Sequence, residues 1–151
     1  MRWFARFWPV ILWAALIFTF SSHIFTAAST SRIITPLIRW LFPHASLLFV
    51  LRANHFIRKG AHVFEYFVFS LLLYYAIRNK RSWTLKSTLL VIVIVFLYAC
   101  SDELHQIFVP GRGAAFRDVM LDTSAGIPAQ VAVWIWLAIA RRWNRARPLH
   151  S

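Results

Sequence analysis

The five acidic residues are the side chains in this sequence whose type and spacing are most able to support chemistry. They are Glu65, Asp102, Glu103, Asp118 and Asp122, set against 17 Lys and Arg residues in a chain of 151. Carboxylates that lie close together bind cations, act as general bases or pair with basic side chains. Which of these roles applies depends on where the five acids lie in the fold.

The composition around these acids is typical of a membrane protein. Hydrophobic residues make up 60% of the chain and charged residues 15%, and the mean hydropathy is +0.59. Soluble domains are about 45–50% apolar and about 25% charged, and disordered chains have low hydrophobicity. The composition therefore excludes an ordinary soluble domain and a disordered chain.

The apolar segments predict an all-α fold, a polytopic integral membrane protein with four transmembrane helices in one domain covering residues 1–151. The spans are expected at roughly 7–25, 59–77, 85–106 and 118–140. Between the first two spans, Pro36 and Pro43 limit helix length, and the apolar stretch 46–51 is too short to cross a bilayer. We expect short interfacial helices there, with a fifth span as the alternative.

Basic residues are divided unevenly between the two sides of this predicted bundle. The N-terminus, the loop 78–86 and the C-terminal tail carry ten Lys and Arg residues and no acid, against seven that are spread over longer segments on the other side. Cytoplasmic loops carry the excess of basic residues, so both termini are predicted to be cytoplasmic. The net charge of +12 is then a topology signal, and no nucleic-acid partner is expected.

Helical spacing places polar residues on facing stripes near the outer ends of spans two, three and four, because residues three or four apart share one helix face. Ionisable groups cost about 2.5–3.5 kcal/mol each in a bilayer, so they should face inward, and a functional site is the default interpretation. The predicted binding residues on the stripes and in the Pro-Gly-Arg loop are Lys59, His62, Glu65, Tyr66, Asp102, Glu103, His105, Gln106, Arg112, Asp118 and Asp122.

Two interpretations of the acids remain open. In a structural role they pair with basic neighbours such as Lys59 and Arg112 and hold the bundle together. In a functional role they form a binding or catalytic site, in which Glu65 or Asp118 is the candidate general base and Arg112 holds an anionic head group. Ser21 and its neighbours are interpreted as the polar end of span one rather than as catalytic residues.

A metal site is the weaker interpretation of the same residues. His62 and His105 with the carboxylates offer ligands for Zn²⁺ or a hard divalent ion. Their spacing along the chain matches no standard metal-binding motif. We therefore expect no metal and no other cofactor.

Three polar segments carry a pattern that is specific as a whole. They are Lys59-x-x-His62-x-x-Glu65-Tyr66, then Asp102-Glu103-x-x-Gln106 with Pro110-Gly111-Arg112, then Asp118-x-x-x-Asp122-x-x-x-Gly126. With Phe20-Ser21-Ser22 at the end of span one, they resemble the VanZ-like family of bacterial membrane proteins over most of the chain. Two positions depart from the family pattern. Asp122 stands where the family often has Asn, which adds a negative charge, and Ala115 stands where it often has Ser or Thr, which removes a hydroxyl.

The resemblance implies a role in the cell envelope. The family's named member is associated with low-level resistance to teicoplanin, a glycopeptide that acts at the outer face of the membrane. We expect a protein of the bacterial cytoplasmic membrane whose outward-facing site binds a polar head group or another envelope component, with membrane lipids or a cell-wall precursor as partners. The alternatives are a membrane enzyme acting on a lipid-linked phosphate and a small proton- or ion-coupled transporter.

Overall fold

The computed structural model describes residues 4–22, 27–78, 83–110 and 113–146. Within these residues the chain forms six helices: α1 (Phe4–Ser21), α2 (Ala27–Leu41), α3 (Leu47–Ile77), α4 (Leu85–Ile107), α5 (Phe116–Ser124) and α6 (Gly126–Ala146). Four described segments are long and apolar enough to cross a membrane: α1, α3, α4 and the pair α5–α6 as far as Trp143. The predicted all-α membrane fold with four candidate spans is confirmed.

Helix α3 begins twelve residues earlier than the predicted span 59–77. Ser46 caps its N-terminus, where its hydroxyl accepts a hydrogen bond from the backbone N–H of Phe49 at 3.2 Å. The stretch 47–58, which was predicted to belong to the interfacial region, continues into the span because no proline interrupts it and a single glycine is tolerated within a helix. Within the described part of the connection, α2 is thus the one separate helix, and it ends before Pro43.

The fourth predicted span, 118–140, is two consecutive helices. They meet at Ala125, whose backbone N–H still bonds the carbonyl of Leu121 at 3.2 Å. The interruption follows from Pro128 in the first turn of α6. Proline has no N–H to donate, and its ring clashes with the carbonyl four residues earlier, that of Ser124. The segment is therefore divided into two helices at Ala125, directly before Gly126, which packs closely against Ile92 of α4.

Helix α3 is the centre of the bundle and contacts each of the other five described helices. Its residues Tyr66, Phe69 and Leu73 belong to a core cluster with Val91, Val95 and Ala99 of α4. Helix α4 is apolar on its outer face as well, and the residues exposed there are Leu89, Val93 and Leu97. The central part of α4, residues 89–99, is thus apolar on all sides, which fits a position inside a lipid bilayer.

Polar and small residues hold the helices together. On α1, the Trp13 Nε1–H donates to the carbonyl of Glu65 at 2.9 Å, and the Tyr98 hydroxyl of α4 donates to the carbonyl of Ala14 at 2.6 Å. At Gly126, a Cβ atom would lie 2.8 Å from Cδ1 of Ile92. Hydrogen bonds between helices and small residues at contacts are the usual means of packing spans in lipid.

Candidate functional site

A polar cavity of about 200 Å³ lies between α3, α4 and α5. Such a cavity is costly in an apolar bundle unless polar groups or a ligand fill it. It differs from the rest of the described interior, whose core cluster is apolar. The described residues that line it are His55, Arg58, Lys59, His62, Glu103, Gln106, Gly113, Asp118 and Asp122.

Three of the acids are almost fully buried. Asp102 is 2% exposed, Glu103 5% and Asp122 3%. The Oδ2 atom of Asp102 accepts a hydrogen bond from the hydroxyl of Ser21 at 2.7 Å and from Nε2 of Gln106 at 3.1 Å. Both donors are neutral, so they orient the carboxylate without neutralising its charge. The last residue of α1 thereby takes part in building the site.

Glu103 holds the start of α5. Its Oε2 atom accepts a hydrogen bond from the backbone N–H of Ala115, the residue that precedes α5, at 2.9 Å. Ala115 has no hydroxyl and makes no side-chain cap of its own. The carboxylate of Glu103 occupies the N-terminal end of the helix instead, where the helix dipole favours negative charge. The hydroxyl that the family often has at this position is therefore not needed to begin the helix.

Two further contacts between basic and acidic side chains lie beside the cavity. Nζ of Lys59 forms a salt bridge with Oδ1 of Asp118, which joins α3 to α5, and both side chains are a little over one quarter exposed. Within α3, Nδ1 of His62 lies 3.6 Å from Oε2 of Glu65. The cavity thus has a cationic side on α3 and an acidic side on α4 and α5.

One subset of these residues has the geometry to hold a metal ion. A ligand atom of His62, one of Asp102 and one of Asp122 all lie within 4.8 Å of one another. Tyr66 lies one helical turn after His62 on the same face of α3, and its buried hydroxyl has no hydrogen-bond partner among the described residues. The three ligand residues come from three helices, which explains why no motif along the chain revealed them.

The structure brings together some of the predicted binding residues and separates others. Tyr66 is fully buried in the core. His105 stacks on Phe18 of α1 with ring centroids 4.3 Å apart, and it is not among the residues that line the cavity. Arg112 lies outside the described residues. Six of the ten described candidates line the cavity: Lys59, His62, Glu103, Gln106, Asp118 and Asp122.

Sequence reasoning missed four residues of the site. His55 and Arg58 line the cavity from α3, Gly113 lines it from the segment before α5, and Ser21 orients Asp102. A signal for the first two was present, because His55, Arg58 and His62 recur at helical spacing on one face. It was overlooked because the span was predicted to begin at Lys59. No sequence pattern connects Ser21 to a residue on α4.

Comparison with models of protein families shows which family the chain belongs to. A family model described as VanZ/LLP1 matches residues 7–139. The chain belongs to this family. The resemblance found in the sequence is confirmed, and the match includes every described residue of the cavity. No curated protein and no solved structure matches the chain.

Membership of the VanZ/LLP1 family and the four apolar segments together identify a multi-pass membrane protein. The described cavity residues all belong to the matched VanZ/LLP1 region. They are far apart in the sequence but meet between α3, α4 and α5. Asp122, the position where this chain carries an additional acid, lies in the cavity wall. The acidic side of the cavity thus has a carboxyl group at this position, which Asn would not supply.

Proposed function

We propose that this VanZ family protein binds the polar head group of a membrane lipid or lipid-linked envelope component in the cavity between α3, α4 and α5. The single observation that supports this function most is the polar cavity inside a bundle of apolar spans. A lipid in the outer leaflet presents its head group at the membrane surface, so it reaches such a cavity without leaving the bilayer. Membrane lipids are accordingly the proposed partners.

The two sides of the cavity suit a head group that carries both charge types. His55, Arg58 and Lys59 line it from α3, and a guanidinium binds phosphate oxygens in a bidentate manner. Glu103 and Asp122 line it from the opposite side, where a cation would be favoured. A head group whose phosphate binds Arg58 and whose positive group lies near Glu103 and Asp122 would be complementary to both sides of the cavity.

The size of the cavity suits a head group rather than a drug-sized molecule. Pockets for drug-sized molecules measure about 300–1,000 Å³, whereas this cavity measures about 200 Å³. A glycopeptide antibiotic is far larger than either. The proposed link to teicoplanin resistance therefore runs through an envelope component that the protein binds, not through capture of the antibiotic.

The head-group proposal is tested with the purified full-length protein in detergent. The probes are dihexanoyl phosphatidylethanolamine, dihexanoyl phosphatidylglycerol and inorganic phosphate, and binding is measured by native mass spectrometry. Arg58→Gln should weaken lipid binding at least tenfold, because it removes the bidentate donor. Arg52→Gln is the matched control, since Arg52 is exposed on the same helix and does not line the cavity.

Two outcomes would contradict this function. Equal lipid binding by the Arg58 and Arg52 variants would show that the lipid sits elsewhere, and binding of free phosphate but of neither lipid would show that no head group is recognised. In cells, teicoplanin susceptibility is compared between wild type and Asp118→Asn at equal folded yield. Unchanged susceptibility would remove the proposed link to resistance.

We also propose that the protein lies in the bacterial cytoplasmic membrane with both termini cytoplasmic and the cavity toward the outside. The uneven distribution of basic residues supports this orientation. A reporter enzyme that is active only outside the cytoplasm should be silent when fused after Ser151. The same reporter inserted after His44, between α2 and α3, should be active. The reverse pattern would overturn the orientation.

A further inference from the structure

The geometry points to a divalent metal site formed by His62 and Asp122, which line the cavity, and by Asp102, which is buried behind them. The metal site depends on the proposed function in one respect only, which is the identity of the group that the bound ion would hold. The first observation is distance, because one ligand atom from each residue lies within 4.8 Å of the others. Neighbouring ligands of one ion are about 3.3–3.8 Å apart at bond lengths of about 2.0–2.2 Å, so side-chain shifts of up to about 1.5 Å would complete the site.

The second observation is the buried hydroxyl of Tyr66. This residue has no exposed surface, and its hydroxyl has no hydrogen-bond partner among the described residues. Tyr66 lies one helical turn after His62 on the same face of α3, and Asp102, Asp122 and Glu65 are near enough to act on it electrostatically. Buried tyrosine hydroxyls normally find a partner. A water molecule or an oxyanion bound to the metal would accept its hydrogen bond.

The charges around the site favour a cation of charge two. Asp102, Glu103 and Asp122 are nearly buried within one region of the bundle, and crowded carboxylates are unfavourable in a medium of low dielectric constant. Of the cations lining the described part of the cavity, Lys59 already pairs with Asp118. A divalent ion would stabilise the buried acids and leave Arg58 available for an anionic ligand.

The ligand set also limits which ion would bind. One imidazole nitrogen with two carboxylate oxygens suits Zn²⁺ or Mn²⁺, whereas Mg²⁺ prefers oxygen ligands and retains several waters. The hydrogen bonds from Ser21 and Gln106 hold the Asp102 carboxylate in place, as outer partners of metal ligands commonly do. Since His62 and Asp122 line the cavity, the open coordination positions would face the head group. The ion would then take the place of the positive group beside the acids, and a phosphate oxygen of the head group held by Arg58 is the expected ligand.

Zinc binding by the full-length protein in detergent tests the site. The protein is stripped with a chelator, equilibrated with Zn²⁺ and dialysed, and zinc is measured by mass spectrometry. Affinity is measured by competition with a chromophoric chelator. Wild type should retain one zinc per chain, and His62→Gln and Asp122→Asn should each bind at least tenfold more weakly. His44→Gln is the matched control and should bind as wild type does, because His44 lies in the connection before α3.

Each result separates the metal site from the alternatives. Failure of wild type to retain zinc, or equal affinity in the His62→Gln and His44→Gln variants, would overturn the site. If Asp122→Asn does not fold, His62→Gln still decides, because His62 is partly exposed and glutamine is tolerated in helices. Lipid binding by a chain that retains no zinc would overturn the metal site alone. Zinc binding without lipid binding would overturn the proposed function alone.

Discussion

The hydroxyl of Ser21 donates a hydrogen bond of 2.7 Å to Oδ2 of Asp102, and the bond is buried. Ser21 is the last residue of α1, and Asp102 lies in α4, 81 positions further along the chain. The bond therefore attaches the end of the first span to an acid of the candidate site. It also shows that Ser21 is more than the polar end of a helix, because its position determines how Asp102 is oriented.

Substitution of Ser21 by alanine should weaken both the fold and the metal site. Hydrogen bonds to charged groups contribute about 1.5–3 kcal/mol, so Ser21→Ala should lower the free energy of unfolding by about that amount. Loss of an outer partner typically lowers metal affinity about 10–100-fold. Reversible unfolding in detergent measures the first effect, and zinc competition measures the second.

The neighbouring serine provides the control for this prediction. The hydroxyl of Ser22 donates to the carbonyl of Thr19 in the same helix at 2.6 Å and contacts no acid. Ser22→Ala should therefore leave zinc affinity at the wild-type value. Equal effects of the two substitutions on zinc affinity would show that Ser21 does not orient Asp102.

The salt bridge between Lys59 and Asp118 should contribute a coupling free energy of about 1 kcal/mol. Exposed pairs contribute about 0.2–1 kcal/mol, and removing one partner of a fully buried pair costs about 3–5 kcal/mol. These side chains are 28% and 27% exposed, so the pair lies nearer the first case. A double-mutant cycle with Lys59→Met and Asp118→Asn, read out as the free energy of unfolding, measures the coupling. Additive effects would indicate that the contact between α3 and α5 is not energetically coupled.

The sequence predicted the four spans because long apolar runs alternate with basic or proline-containing connections. It placed the start of α3 too late, since two adjacent basic residues such as Arg58 and Lys59 are typical of a membrane boundary. In the structure these charges lie within the helix and line a polar cavity. The division of the last span at Ala125 was also missed, although Pro128 in the sequence is its physical cause.

The candidate site was less predictable than the fold. Helical spacing shows which residues share a face, and in the structure Glu103 of α4 and Asp118 and Asp122 of α5 line a cavity with residues of α3. Spacing does not show which neighbour each residue contacts. His105 is three residues from Asp102, yet it stacks on Phe18 of α1, while Ser21 reaches Asp102 from the same helix α1. Such relationships depend on tertiary packing and are not encoded in a local pattern.

Removal of the Tyr66 hydroxyl should have opposite effects with and without metal. Among the described residues this hydroxyl has no partner, and a buried unsatisfied donor costs about 1–3 kcal/mol. Tyr66→Phe should therefore leave the zinc-free protein as stable as wild type or more stable. With zinc bound, Tyr66→Phe should be less stable than wild type, because only wild type has the hydroxyl that donates to the water or oxyanion on the metal. Thermal unfolding at matched zinc concentrations measures both effects.

Tyr98 is the matched tyrosine for this comparison. Its hydroxyl donates to the carbonyl of Ala14 at 2.6 Å, so Tyr98→Phe should destabilise the protein by about 1 kcal/mol with or without zinc. If Tyr66→Phe destabilises the zinc-free protein to the same extent as Tyr98→Phe, the Tyr66 hydroxyl has a protein partner and does not indicate a ligand.

A large side chain at Gly126 should separate α6 from α4. A Cβ atom there would lie 2.8 Å from Cδ1 of Ile92 and 3.6 Å from Oγ of Ser70. The end of the Ile92 side chain can move to admit one methyl group, but not the remaining atoms of a leucine. Gly126→Leu should therefore destabilise the bundle by about 1–3 kcal/mol. Gly60→Leu is the control, because a Cβ at Gly60 meets no atom within 4 Å and leucine is a better helix former than glycine. Unfolding in detergent compares the two variants, and equal stability would show that α4 and α6 are not held at close contact by Gly126.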